Sequence, residues 1–275
     1  MKSCKYGNVI LITGASSGLG RAAALEFAGK GFQVLACSRH PGEAVEHVGA
    51  GCIHPVKLDV CDSAQVDATI GTLLQQYDIG LVLHCAGFGI GGAADDSPVE
   101  AVQKQFDTNF FGVLRLNRAL LPHFRARGRG LVLLTGSVAG LIPIPFQSAY
   151  SASKYALEAY GETLRMESRG FGIDVCLLEP GDTKTGFTGS RTLVLPEGSP
   201  YTQACTRSIE KMARDEQSGA PPENFARIAC RVAFRRSPPV RKVVGLGYKT
   251  LTILKPLLPA RFAQWVLSML YVPKG

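Results

Sequence analysis

The chain contains no internal repeat, no low-complexity tract and no uninterrupted apolar run of about 18 residues, the length a spanning helix requires. Charged residues are sparse and well spread, so a disordered reading is not supported, and no membrane span is predicted. None of Cys4, Cys37, Cys52, Cys61, Cys85, Cys176, Cys205 and Cys230 stands in a C-x-x-C pair. Several lie in apolar, strand-like runs, so free thiols in a reducing compartment are expected rather than disulfides or zinc, and no metal site is predicted. No apolar leader core precedes the first strand-like run at residue 8, so the expected location is cytoplasmic.

What is present is apolar mass. Hydrophobic residues fill 46% of 275 positions, enough for a large core in one domain over residues 1–275. The formal net charge of +8 is uneven: from Gln203 to Gly275 thirteen Lys and Arg face four Asp and Glu, a balance of +9, and residues 1–202 carry −1. No nucleic-acid-binding motif accompanies this charge, so no nucleic-acid partner is expected. A solvated basic face, an anionic membrane surface and an acidic partner remain as readings.

Continuous apolar runs predict strands at 8–13, 32–37, 52–57, 79–84, 130–135, 172–179 and 241–246. Helical patterns fall between them at 19–30, near 41–49, and at 62–76, 98–126 and 148–169. This alternation predicts an α/β fold: a Rossmann-type, doubly wound parallel sheet of about seven strands with helices on both faces. Residues 183–220 break the rhythm with Gly186, Gly189, Pro196, Gly198 and Pro200, and read as a loop-and-helix insertion able to cover a site at the strand ends.

Between the first strand and helix stands Thr13-Gly14-Ala15-Ser16-Ser17-Gly18-Leu19-Gly20. Small residues there let backbone N–H groups approach a pyrophosphate at a helix start. No Gly-Lys-Ser/Thr closes the turn, so it is not a P-loop. About 20 residues further on, where an acid would bind a ribose 2′-hydroxyl, the second strand ends in Ser38-Arg39. A missing acid and a present arginine favour NADP(H), with Ser16 or Ser17 assisting at a 2′-phosphate; NAD(H) remains the alternative.

Tyr150 and Lys154 are spaced i, i+4 and share a helix face. A free phenol has a pKa of about 10, and a cation one turn away is expected to lower it. Ser137, 13 residues earlier, follows the fifth strand and is placed to hydrogen-bond a substrate oxygen. Asn109 is a polar residue in an apolar helical stretch, where bonding to local backbone is its ordinary fate.

The set Thr13–Gly20, Asp59-Val60, Ala86-Gly87, Asn109, Ser137, Tyr150-x-x-x-Lys154 and Pro180-Gly181 resembles the short-chain dehydrogenase/reductase superfamily over residues 8–188. The resemblance implies Tyr150 as general acid/base, Lys154 as the group that lowers its pKa and binds the nicotinamide ribose, and Ser137 as the orienting hydroxyl. It implies Asn109 as holder of a relay water, and Asp59 and Val60 near the adenine. It sets Pro180, Gly181, Thr183 and Thr185 on the nicotinamide side. Where the family has Asn-Ala-Gly, this chain has Cys85-Ala86-Gly87; one local hydrogen bond is expected to be lost there, and activity kept.

Around Ser137 and Thr183 the chain looks most like hydroxysteroid and retinol dehydrogenases. Phe88, Leu141, Ile144, Phe146 and Phe187 would form an apolar wall; the expected substrate is a hydroxysteroid, with a retinoid or another lipid-like alcohol or ketone as the alternative. A homo-oligomer, dimer or tetramer, is implied. A non-catalytic dinucleotide-binding sensor is the competing reading, and the complete Asn109, Ser137, Tyr150 and Lys154 set argues against it. The segment 248–275 is apolar and basic, broken by Lys255, Pro256, Pro259 and Arg261. It is suited to lie on a membrane surface, to dock on a second subunit or to cap its own pocket.

Overall fold

The computed structural model describes residues 4–272. Its main sheet is built from β1 (Val9–Thr13), β2 (Gln33–Ser38), β3 (Glu46–Val48), β4 (Gly51–Lys57), β5 (Leu81–His84), β7 (Gly130–Thr135), β8 (Ile173–Pro180) and β10 (Arg241–Val244). The spatial order is β10-β8-β7-β5-β1-β2-β4-β3. Each neighbouring pair runs parallel except β3 with β4. The central strands β1, β5 and β7 are buried along their whole length, which explains their unbroken Val, Ile and Leu composition. Two short strands, β6 (Ile90–Gly92) and β9 (Thr192–Val194), pair separately as a parallel ribbon.

Helices α1 (Gly18–Gly29) and α7 (Pro222–Ala233) cover one face, with Phe27, Phe225 and Ala229 in its core. On the other face lie α2 (Ser63–Gln76), α4 (Gly112–Arg127) and α5 (Ser148–Ser168), burying Ile70, Leu116, Leu120, Leu157 and Leu164. Helix α3 (Val99–Phe106) leads into α4 through a π-turn, Asp107–Phe111. The remaining helices are α6 (Thr202–Gln217), α8 (Leu246–Leu254) and α9 (Ala260–Tyr271).

The expected helix near 41–49 is instead a turn and the edge strand β3, folded back on β4 through Gly49 at φ +60°. Pro41 and Gly42 leave too short a stretch for a helix, and pairing with β4 satisfies the sheet edge. Strand order reverses at β1, so the carboxyl ends of β1 and β5 bound the crevice where ligands lie in such sheets.

Candidate active site

The turn after β1 is packed closely against the end of β5. Gly14 has φ +63°, and a side chain there would meet the Cys85–Ala86 backbone at 2.8–2.9 Å. A side chain at Gly20 would strike the Gly14 carbonyl. Thr13 Oγ1 accepts the N–H groups of Cys85 (3.1 Å) and Ala86 (3.2 Å), tying the two strand ends together. The N-cap of α1, Ser17, makes no side-chain cap, and the helix's first turn carries no acid. Its backbone donors at Gly18, Leu19 and Gly20 are thus open to a diphosphate, with Ser16 and Ser17 exposed beside them. A cradle that a Cβ would fill, at an uncapped helix start, fits the pyrophosphate of a dinucleotide.

At one end of the crevice Ser38 is buried and Arg39 exposed, where β2 leaves the sheet. Just past the end of the neighbouring strand β4, Asp59 accepts the Cys61 N–H at 2.9 Å, and Val60 is buried against Gly112. At the other end, the loop after β8 closes over the glycine turn: Thr185 lies next to Gly18, and Thr183 Oγ1 donates to the Gly181 carbonyl at 3.0 Å. The Tyr248 ring packs directly on Gly181 after Pro180, and its hydroxyl donates to the Asp182 carboxylate.

Tyr150 and Lys154 stand in the first turns of α5, the lysine buried. The Lys154 ammonium lies 5.8 Å from the Tyr150 ring centre. It donates to the Thr135 carbonyl at 2.7 Å, and burial lowers its pKa to about 8. Ser137 caps the 3-10 turn Val138–Gly140, accepting the Ala139 N–H at 3.1 Å. Burial pushes the Tyr150 phenol above its ordinary pKa, a hydrogen bond with Ser137 pulls it down, Glu216 raises it and Arg191 lowers it. The expected acidification by Lys154 is therefore not the dominant effect. Desolvation sets the direction, Ser137 and Arg191 supply the lowering, and the Lys154 ammonium is engaged by the Thr135 carbonyl.

Asn109 is buried in the π-turn. Its amide donates to the Phe88 carbonyl (3.0 Å) and Ser153 Oγ (3.2 Å), and Oδ1 accepts the Phe88 N–H (3.0 Å). Ser153 in turn donates to the Tyr150 carbonyl at 2.8 Å. The side chain thus clamps the segment after Gly87 to α5, both amide protons taken. A relay water would find one remaining Oδ1 lone pair there.

At the position where the family has asparagine, the Cys85 thiol bonds Thr135 Oγ1 across 3.3 Å, so a cross-strand link is kept in different form. Burial raises that thiol to about 12, leaving it neutral.

On the substrate side, the Phe187 ring lies 5.6 Å from that of Tyr150, and Leu141 is half-buried nearby in sequence after the Ser137 turn. Ile144 and Phe146 pack instead against Cys205, Ile209 and Met212 of α6, joining loop to helix. Phe146 has φ +60°, a left-handed conformation costly for a bulky residue, two residues before α5. Sequence reading missed the ion pair behind Phe187. Arg191 bonds Glu216, whose other oxygen accepts the Thr188 hydroxyl; the arginine is buried and the glutamate partly so. Their separation of 25 residues, loop to helix, carries no periodic signal. Thr13, Thr135 and Ser153 were also missed, although the first and third lie inside motifs.

The family model described as short chain dehydrogenase matches residues 8–193. A 3-ketodihydrosphingosine reductase from Bacteroides thetaiotaomicron is 35% identical over 96% of this chain and 97% of its own length. Retinol dehydrogenase 8 of Bos taurus is 31% identical over 91% of this chain and 86% of its own. Among solved structures, a short chain dehydrogenase/reductase of Burkholderia phymatum in complex with NAD superposes with TM-score 0.77 at 25% identity, covering 91% of this chain and 93% of that one. With the Rossmann crevice and the Ser137, Tyr150 and Lys154 constellation, these likenesses establish an oxidoreductase that uses a nicotinamide dinucleotide on CH–OH groups. The chain belongs to the short-chain dehydrogenase/reductase family.

Proposed function

We propose that this chain reduces a ketone on a long-chain, lipid-like molecule to a secondary alcohol, using NADPH. The observation that carries the reaction is the meeting of the Tyr150 phenol, Ser137 and the Lys154 ammonium at the end of β7. Bound there, the dinucleotide supplies the hydride. Ser137 donates a hydrogen bond to the carbonyl oxygen and holds it beside Tyr150, which gives that oxygen its proton. A phenol kept protonated by burial is set for this direction. Lys154, lowered to about 8, stands ready to return a proton as the phenolate forms, and would bind the ribose. Asn109 keeps both partners in position through Phe88 and Ser153.

The similarity to a 3-ketodihydrosphingosine reductase over nearly the full length of both chains supports an open-chain amphiphilic ketone. Phe187, whose ring lies 5.6 Å from that of Tyr150, and Leu141 suit its apolar tail. A retinoid, or the hydroxysteroid expected at first, is the second reading, favoured by the likeness to retinol dehydrogenase 8. Arg39, exposed where a 2′-phosphate would lie, supports NADP(H) over NAD(H). A homo-oligomer is proposed from the family alone.

The test is NADPH oxidation with 3-ketodihydrosphingosine, retinal and a 3-ketosteroid in parallel, for the native chain and Tyr150→Phe. The first substrate is expected to give the highest kcat/KM, and the variant to bind NADPH without turnover. Cofactor binding with no turnover of any substrate by the native chain would leave the sensor reading in its place.

A further inference from the structure

Ten basic residues follow Glu223 and no acidic one does. Within this stretch α8, α9 and the 3-10 turn Lys255–Leu257 between them hold large apolar side chains out to solvent: Leu257 of the turn is 76% exposed, Met269 61%, Ile253 58% and Trp265 57%. Phe262, Trp265 and Met269, at i, i+3 and i+7, share one face of α9. Scattered exposed apolar residues are ordinary, but a run of them on two successive helices marks an interaction surface. The arm is held to the body from within. Lys211 of α6 lies 5.2 Å over the Tyr271 ring, and Lys255 donates to the Tyr155 hydroxyl at 3.4 Å.

At the root of the arm, between α7 and Gly245, lies a cavity of about 460 Å³. Asn224, Arg227, Ile228 and Arg231 line it from a single face of α7, and both arginines are exposed. An apolar helix face bordered by a cationic recess is the pattern of a protein lying in the headgroup boundary of a membrane. Among the described residues no helix is long and apolar enough to cross a bilayer.

We propose that α8 and α9 dock this chain on an anionic lipid surface, the apolar face entering the acyl boundary and Arg227 and Arg231 receiving a lipid phosphate. A second copy of the chain fits less well. A two-fold interface through this face would set the same acid-free, cationic regions against each other. The docked face also borders the substrate entrance, because α9 packs on α6 and α6 carries the Glu216 that holds the loop over Tyr150. The proposal stands independently of which ketone is reduced.

The experiment is vesicle flotation of the full chain, using phosphatidylcholine alone and phosphatidylcholine mixed with phosphatidylglycerol. The native chain is expected to float only with the anionic vesicles. Arg227→Gln and Arg231→Gln should each weaken that binding about fivefold, since a basic residue near such a surface contributes about 1 kcal/mol. Leu257→Ser with Trp265→Ser should weaken it by at least about tenfold through lost apolar burial. Unchanged circular dichroism and NADPH binding of each variant would show the fold intact. Equal flotation with both vesicle types would overturn the proposal. So would self-association in sedimentation velocity that the same substitutions abolish while vesicles are ignored.

Discussion

The Lys154 ammonium donates to the main-chain carbonyl of Thr135 at 2.7 Å, anchoring the first turns of α5 to the end of the central strand β7. Thr135 also meets the cysteine that stands in place of the family's asparagine, since the Cys85 thiol contacts its Oγ1 at 3.3 Å. An ammonium withdrawn from water with a carbonyl as partner loses part of its preference for the charged form. Its pKa of about 8 makes it able to give up a proton near neutrality, which an exposed lysine does not do.

Replacing Lys154 by arginine keeps the charge and removes the titration. In the native enzyme the ammonium is intact below about 8 and lost above it, so the reduction rate is expected to fall through that pH. Lys154→Arg should lower kcat by about 10²–10⁴-fold and show no such alkaline limb. Initial rates of NADPH oxidation against pH measure both effects, and a limb retained in the variant would assign it to another group.

Behind Phe187, the Arg191–Glu216 pair acts on the phenol with opposite signs: Glu216 raises the Tyr150 pKa and Arg191 lowers it. Glu216→Gln removes the raising charge and unpairs the lowering one, so the Tyr150 ionisation should move down in pH. Arg191→Met does the reverse and leaves a partly buried carboxylate unpaired, at some cost in stability. The pH profile of kcat/KM should therefore shift in opposite directions in the two variants. A loop tether without electrostatic influence would raise KM in both and shift neither profile.

The parts read correctly from sequence are those whose signal is local. β1 and β7 are unbroken apolar runs because both faces of the central sheet are covered, and Tyr150 and Lys154 meet because i and i+4 meet on any helix. β3 escaped because a strand of three residues has no period to detect, and Val45 and Val48, spaced i, i+3, read equally well as a helical stripe. The sign of the Tyr150 shift escaped for a different reason. Spacing gives the nearness of the lysine but neither the depth of burial nor the Thr135 carbonyl that engages the ammonium. Arg191 and Glu216 come together only through the packing of the loop on α6.

Arg39→Asp tests the cofactor preference. The guanidinium is exposed at the end of β2, and a charged hydrogen bond of this kind contributes about 1.5–3 kcal/mol. The ratio of kcat/KM for NADPH over NADH should fall by about 10–100-fold, and further if the new carboxylate engages the ribose 2′-hydroxyl of NADH. An unchanged ratio would remove Arg39 from cofactor recognition and leave Ser16, Ser17 and Ser38 as the residues to vary.

One turn beyond Lys154, Glu158 of α5 faces Glu179 of β8, both buried, with Arg241 of β10 at 3.4 Å from the first and 3.3 Å from the second. One cation shared between two desolvated carboxylates, and drawn also to Glu162, cannot keep both ionised. Burial and the neighbouring Glu179 raise Glu158 from 4.5 to about 8, so it holds a proton in the folded state that the unfolded chain releases. Because the folded state binds more protons, the stability this group contributes is full below pH 4.5 and is lost as pH rises toward about 8. Glu158→Gln keeps the shape of the protonated acid and leaves Arg241 to Glu179 and Glu162. Its Tm is expected to exceed that of the native chain at about pH 8 and to decline less between about pH 5 and pH 8. Thermal denaturation across that range decides the matter, because an equal decline in both proteins would place the titrating proton elsewhere.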